Sequence, residues 1–157
     1  MRHQSKGRKF GRKSSPRNAL RRDVVNSLFR HGRITTTLPR AKEFRAWAER
    51  LITVARRAAA AKAAGDKVRA LNAFRKLLSE LHDETIVAKL VAEIGPSFAD
   101  RPGGYTRVVR LTKARKGDAA PTAIFELVNF EPPADEPDDA ASAAASKKSA
   151  KETAASK

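Results

Sequence analysis

Residues 101–128 read RPGGYTRVVRLTKARKGDAAPTAIFELV. Within this stretch, Tyr105 to Leu111 and Thr122 to Val128 alternate with a period of two and use β-branched and aromatic side chains, which predicts two strands. The connecting segment TKARKGDAAP holds a Gly117-Asp118 turn signal and three cations, Lys113, Arg115 and Lys116. One other short β-branched run, Arg33-Ile34-Thr35-Thr36-Thr37, reads as a further strand.

Upstream the period is 3.6. Ser15-Pro16 reads as an N-cap followed by proline in the first helical turn. Leu20, Val24, Val25, Leu28 and Phe29 form the apolar stripe of that helix, and Gly32 ends it. Thr37 and Pro39 open a second helix with Ala41, Phe44, Ala48, Leu51, Ile52, Ala55 and Ala59 inward and Trp47 half-buried at the edge of that face. Gly65 breaks the chain, and Asp66 caps a third helix with Val68, Leu71, Phe74, Leu78 and Leu81 inward. A shorter helix follows Asp83, buries Ile86, Val87, Leu90, Val91 and Ile94, and is expected to stop at Gly95-Pro96. Acids are interspersed on these middle helices, so their charged faces read as ordinary solvated surface.

The order is helix, strand, three helices, two strands. Helices and strands are segregated, which predicts a two-layer α+β domain with helices packed on a small mixed sheet. The expected organisation is a basic arm at 1–15, the α+β domain at 16–130, and a disordered tail of Ala, Ser, Pro and mixed charge at 131–157.

The chain has 157 residues and a formal net charge of +16. Residues 1–22 hold nine Lys/Arg and no acid, whereas residues 131–157 hold four basic and six acidic residues. An acid-free segment with little to bury cannot offset its ordering entropy alone. On a polyanion it can, because each phosphate contact releases condensed counterions, while Gly7 and Gly11 let the chain follow a groove. A flexible solubilising arm is the plainer alternative; the absence of acids and the abundance of arginine favour docking on nucleic acid.

The same inventory argues against catalysis. There is no cysteine, so disulfides, thiolate metal sites and cysteine nucleophiles are excluded. His3, His31 and His82 form no ligand pair at helical spacing; His31 suits the last turn of the first helix and His82 a junction between helices. No phosphate-binding glycine loop and no nucleophile elbow occurs. No apolar run reaches the roughly 18 residues of a membrane span. No cofactor, metal, membrane or small-molecule substrate is expected. Two other classes remain beside a fixed nucleic-acid partner: a protein that coats DNA or RNA without a fixed site, and a small enzyme acting on RNA.

The turn Arg101-Pro102-Gly103-Gly104-Tyr105-Thr106-Arg107 is less ordinary. Two glycines permit close backbone approach, with Arg107 and Arg110 nearby, and Tyr105 suits either base stacking or the edge of the core.

Several motifs then occur together and in one order: the opening MRH, GRKFGRKSSPR through Arg17, ITTTLPRAKE at 34–43, ERLIT at 49–53, RPGGYTR at 101–107, KGDAAP at 116–121 and FELV at 125–128. Their combination resembles ribosomal protein seventeen of the bacterial large subunit over residues 1–130. Ser97, where a cation is frequent, and Gly32, where an acid is common, depart from that pattern. The resemblance implies a structural protein that binds large-subunit ribosomal RNA near the exit of the peptide tunnel, beside other ribosomal proteins, in support of translation in the cytoplasm. It also implies a two-layer α+β fold. On this reading Arg2, His3, Lys6, Arg8, Lys9, Arg12 and Lys13 of the arm meet phosphates, and Arg17, Arg21 and Arg22 continue the contact onto the first helix. Thr35, Thr36, Lys42, Arg101, Gly103, Gly104, Tyr105, Arg107, Lys113, Arg115 and Lys116 are the expected secondary contacts.

Overall fold

The first helix, α1, spans Ser14–His31 and begins one residue ahead of the expected cap. Lys13 takes the N-cap position without a side-chain bond, because its ammonium has no acceptor to offer; its carbonyl accepts the Arg17 N–H at 3.1 Å, the first bond of the helix. Gly32 closes α1 as expected, at φ 71°, with its N–H on the Leu28 carbonyl at 2.7 Å. The computed structural model describes residues 7–128; the expected tail at 131–157 and the arm positions Arg2, His3 and Lys6 lie outside them.

Strand β1 (Arg33–Thr37) leads into the long helix α2 (Leu38–Ala63), which has proline in its first turn. Helix α3 (Lys67–Leu81) starts at Asp66, whose carboxylate accepts the Arg69 N–H at 3.0 Å. His82, at φ 58°, makes the left-handed turn into α4 (Glu84–Lys89). Asp83 caps that helix by accepting from the Thr85 and Ile86 N–H groups at 3.1 and 3.2 Å.

The expected stop at Gly95-Pro96 is a continuation instead. One π-helical turn (Leu90–Ile94) carries the chain into a short helical turn, α5 (Gly95–Ser97), and Phe98 ends it. The Gly95 N–H reaches back five residues to the Leu90 carbonyl. The wider turn gives the Pro96 ring room that a regular α-turn denies it.

Strands β2 (Thr106–Ala114) and β3 (Pro121–Leu127) form a hairpin, with an irregularity in register between Arg110 and Ala114. The sheet order is β1-β3-β2 and both pairings are antiparallel, so the sheet is not mixed as expected. β1 and β2 run in the same direction, but β3 lies between them and they do not pair.

Alternation sends Ala123, Phe125 and Leu127 of β3 into the core, with α2 packed across that face. α2 contributes Ala41, Phe44, Ala48, Leu51, Ile52, Ala55 and Ala58 to the buried set; Ala59 is only half-buried. Buried Thr106 donates its hydroxyl to Glu49 of α2 at 3.0 Å, which ties β2 to the helical layer. Helix α1 is tied to the α3–α4 junction by Arg22 Nε to the Glu80 carbonyl at 2.9 Å and by Asn26 to the Leu81 carbonyl at 3.3 Å.

The inner face of α3 differs from expectation. Leu77 and Leu81 are buried and Phe74 and Leu78 partly so, but Val68 and Leu71 are 69% and 49% exposed. Their spacing is right; the outer half of the α2–α3 hairpin extends past the rest of the core, so nothing among the described residues covers them.

Candidate nucleic-acid interface

The arm is not free where it is described. Phe10 sets its ring against Phe44 of α2, with centroids 5.5 Å apart and planes tilted by 52°, and joins the edge of the core. Phe10 holds a left-handed backbone at φ 53°, Gly11 follows at φ 64°, and the Arg12 N–H bonds the Lys9 carbonyl at 3.1 Å. Gly7, at φ 92°, passes so close to Glu43 that a Cβ there would meet its carboxylate at 2.9 Å. This anchor was not anticipated in a segment with one large apolar side chain. It leaves Arg8, Lys9, Arg12 and Lys13 exposed around a fixed point.

Arg17, Arg21 and Arg22 follow on α1, but two of them also have work inside the protein. Arg22 Nε is bonded to Glu80, as described, and Arg21 lies 4.3 Å from the centre of the Trp47 ring. Trp47 is 6% exposed, more deeply buried than the half-buried position expected. Arg21 also meets Glu80 at 3.8 Å. Burial lowers the pKa of Arg21; Glu80 opposes that, and Arg50, Arg22 and Arg17 add to it.

The secondary contacts divide. Tyr105 is not available to stack on a base: its ring is 1% exposed and packs on Phe98 at 5.2 Å. It precedes β2 on the core side of the sheet, where apolar burial outweighs any exposed role. Gly103 and Gly104 are exposed, nothing lies within 4 Å of a Cβ placed on either, and Gly104 sits at φ 65°. Arg101 Nη1 donates to the Gly104 carbonyl at 3.2 Å, and the Arg101 carbonyl accepts from Arg56, so the turn is braced from α2.

On the open face of the sheet, Arg33 and Arg107 flank Glu126 across three strands, each at 3.5 Å. Thr35 is exposed on that face, whereas Thr36 pairs with buried Ala123 and is half-buried. Lys42, Lys113 and Lys116 are exposed. Arg115 is forked onto Asp118, whose carboxyl is pushed down to about 2 by that hydrogen bond.

Three cations assigned to solvated surface by the sequence reading belong to a groove. Arg50 and Arg57 of α2 and Lys76 of α3 line an open cleft of about 420 Å³ with Trp47, Val54, Leu77 and Glu80. Spacing along one helix could not reveal it, because its two walls meet only when the α2–α3 hairpin closes. Among the described residues there is no group of His, Asp and Glu able to hold a metal and no helix long and apolar enough to cross a membrane.

A family model described as ribosomal protein L17 matches residues 20–128. Relatives called large ribosomal subunit protein bL17 align over most of the chain. The Thermus thermophilus protein is 49% identical over 128 residues, covering 82% of this chain and 99% of its own length. The Desulfotalea psychrophila protein is 47% identical over 131 residues, covering 83% and 92%. The Campylobacter lari protein is 46% identical over 128 residues, covering 82% and 99%.

Proposed function

Because the chain belongs to the ribosomal protein L17 family, we propose that it is fixed in the large ribosomal subunit by binding large-subunit ribosomal RNA through its basic arm, beside neighbouring proteins near the exit of the peptide tunnel. The protein is a structural component of the bacterial large subunit, serving translation in the cytoplasm, and not an enzyme.

The observation that carries the RNA reading is the arm itself. Residues 1–15, read as an arm ahead of the domain at 16–130, hold six Lys/Arg and no acid, and Phe10 anchors them against Phe44. Anchoring at one point orients the cations without neutralising them. Arginine forks then grip phosphate oxygens while the body sets the register. Binding of this kind follows the shape of an RNA fold more than its sequence.

Sedimentation of a lysate tests the reading. The protein should travel with large subunits through a moderate salt wash. Release from subunits and migration with DNA would point to unspecific coating instead. A density map of the large subunit at side-chain resolution should show the arm against RNA and the body at the tunnel mouth.

A further inference from the structure

No residue of the arm, the Gly103-Gly104 turn or the hairpin loop lines the α2–α3 groove. We infer that it is a second phosphate-binding track, in which Arg50, Arg57 and Lys76 grip the backbone of the RNA that holds the arm. The inference rests on the RNA reading above and extends it to a surface that neither the family match nor the arm assigns.

Charge is the first argument. Three cations line the groove against one carboxylate, Glu80, and that carboxylate faces Arg21 at 3.8 Å. Among the described residues no acceptor engages the side chains of Arg50, Arg57 or Lys76, although acids pair with other arginines elsewhere on the surface. Arg17 and Arg22 stand within electrostatic reach of Arg21, as does Arg50. A fold that gathers like charges here and leaves them unmatched suits an anionic partner.

Continuity is the second. Glu43, Trp47, Arg50, Val54 and Arg57 follow one another at three- and four-residue steps along a single strip of α2. At 1.5 Å per residue that strip is about 21 Å long. The arm crosses its beginning, at Glu43 and Phe44. An RNA backbone held by Arg8 and Lys9 is therefore delivered to the head of the groove. Arg21, laid on the Trp47 ring, marks the passage between the two; its Nε is buried and has no partner among the described residues.

The test uses the full chain and deproteinised large-subunit ribosomal RNA, with binding measured against salt. The variant R50Q/R57Q/K76Q changes exposed side chains and should keep the wild-type circular dichroism and melting temperature. Its log–log slope should fall by about two to three, since each lost phosphate contact removes roughly 0.7–0.9. R57E alone should lower the slope by about one and provides an independent reading if the triple variant folds poorly. The equal-charge control K62Q/K67Q/R75Q, on exposed positions outside the groove, should change it much less. A steep wild-type slope that the groove variants leave intact, or that the control lowers equally, overturns the groove and leaves the arm reading standing. Failure of the wild-type chain to bind the RNA overturns both.

Discussion

Gly95 packs backbone to backbone against Ala55: a Cβ built at position 95 lies 3.0 Å from the Ala55 carbonyl oxygen. The Gly95 backbone is ordinary right-handed helix, so alanine would be favoured there by about 1 kcal/mol if space were the same. Space is not the same, and both contacting groups are main chain. G95A should destabilise the protein by about 1–3 kcal/mol in chemical denaturation, through separation of α5 from α2.

Phe10 should behave as a clasp. F10A removes a partly buried ring and should cost about 1 kcal/mol of stability. Its larger effect is local: the Arg12 N–H, bonded to Lys9 in the folded arm, should lose its protection in amide exchange while core amides keep theirs.

Arg21 and Trp47 should differ in weight although they touch. W47A empties a buried site and should cost about 3–5 kcal/mol. R21Q removes a partly exposed cation from the ring face and should cost about 0.5–1 kcal/mol. Equilibrium unfolding of the two variants and the double variant measures both effects and their coupling.

Asp83 gives the fold a pH signature. The Thr85 hydroxyl and the Ile86 N–H hold its carboxyl below the ordinary value of 3.8. A lowered folded-state pKa contributes stability that is full above the unfolded value and is lost as pH falls through the folded one. As the loss of a helix cap, D83A should cost about 1 kcal/mol at neutral pH. The gap between variant and wild type should close as the pH drops below 3.8.

Much of this was legible in the residues. Gly32, Asp66 and Asp83 mark helix ends because a left-handed stop and a carboxylate cap are local chemistry. β1 announced itself as a short β-branched run and the hairpin by alternation. What escaped depended on distant partners. Gly95-Pro96 reads as a stop until the π-turn before it and Ala55 beside it are known. Val68 and Leu71 have core spacing but sit beyond the reach of the core, while Leu77 lies where α3 meets α2. Tyr105 could be assigned inward only once Phe98 was placed against it. The groove cations are the clearest case, since each looks like solvated surface on its own helix.

The central claim is that the arm holds the protein on ribosomal RNA by neutralising phosphates. The most direct measurement is the salt dependence of full-chain binding to deproteinised large-subunit RNA after R2Q/K6Q/R8Q/K9Q/R12Q/K13Q, which spares the Phe10 anchor. Six lost contacts should flatten the log–log slope by about four to five. A slope equal to that of the wild type would contradict the account.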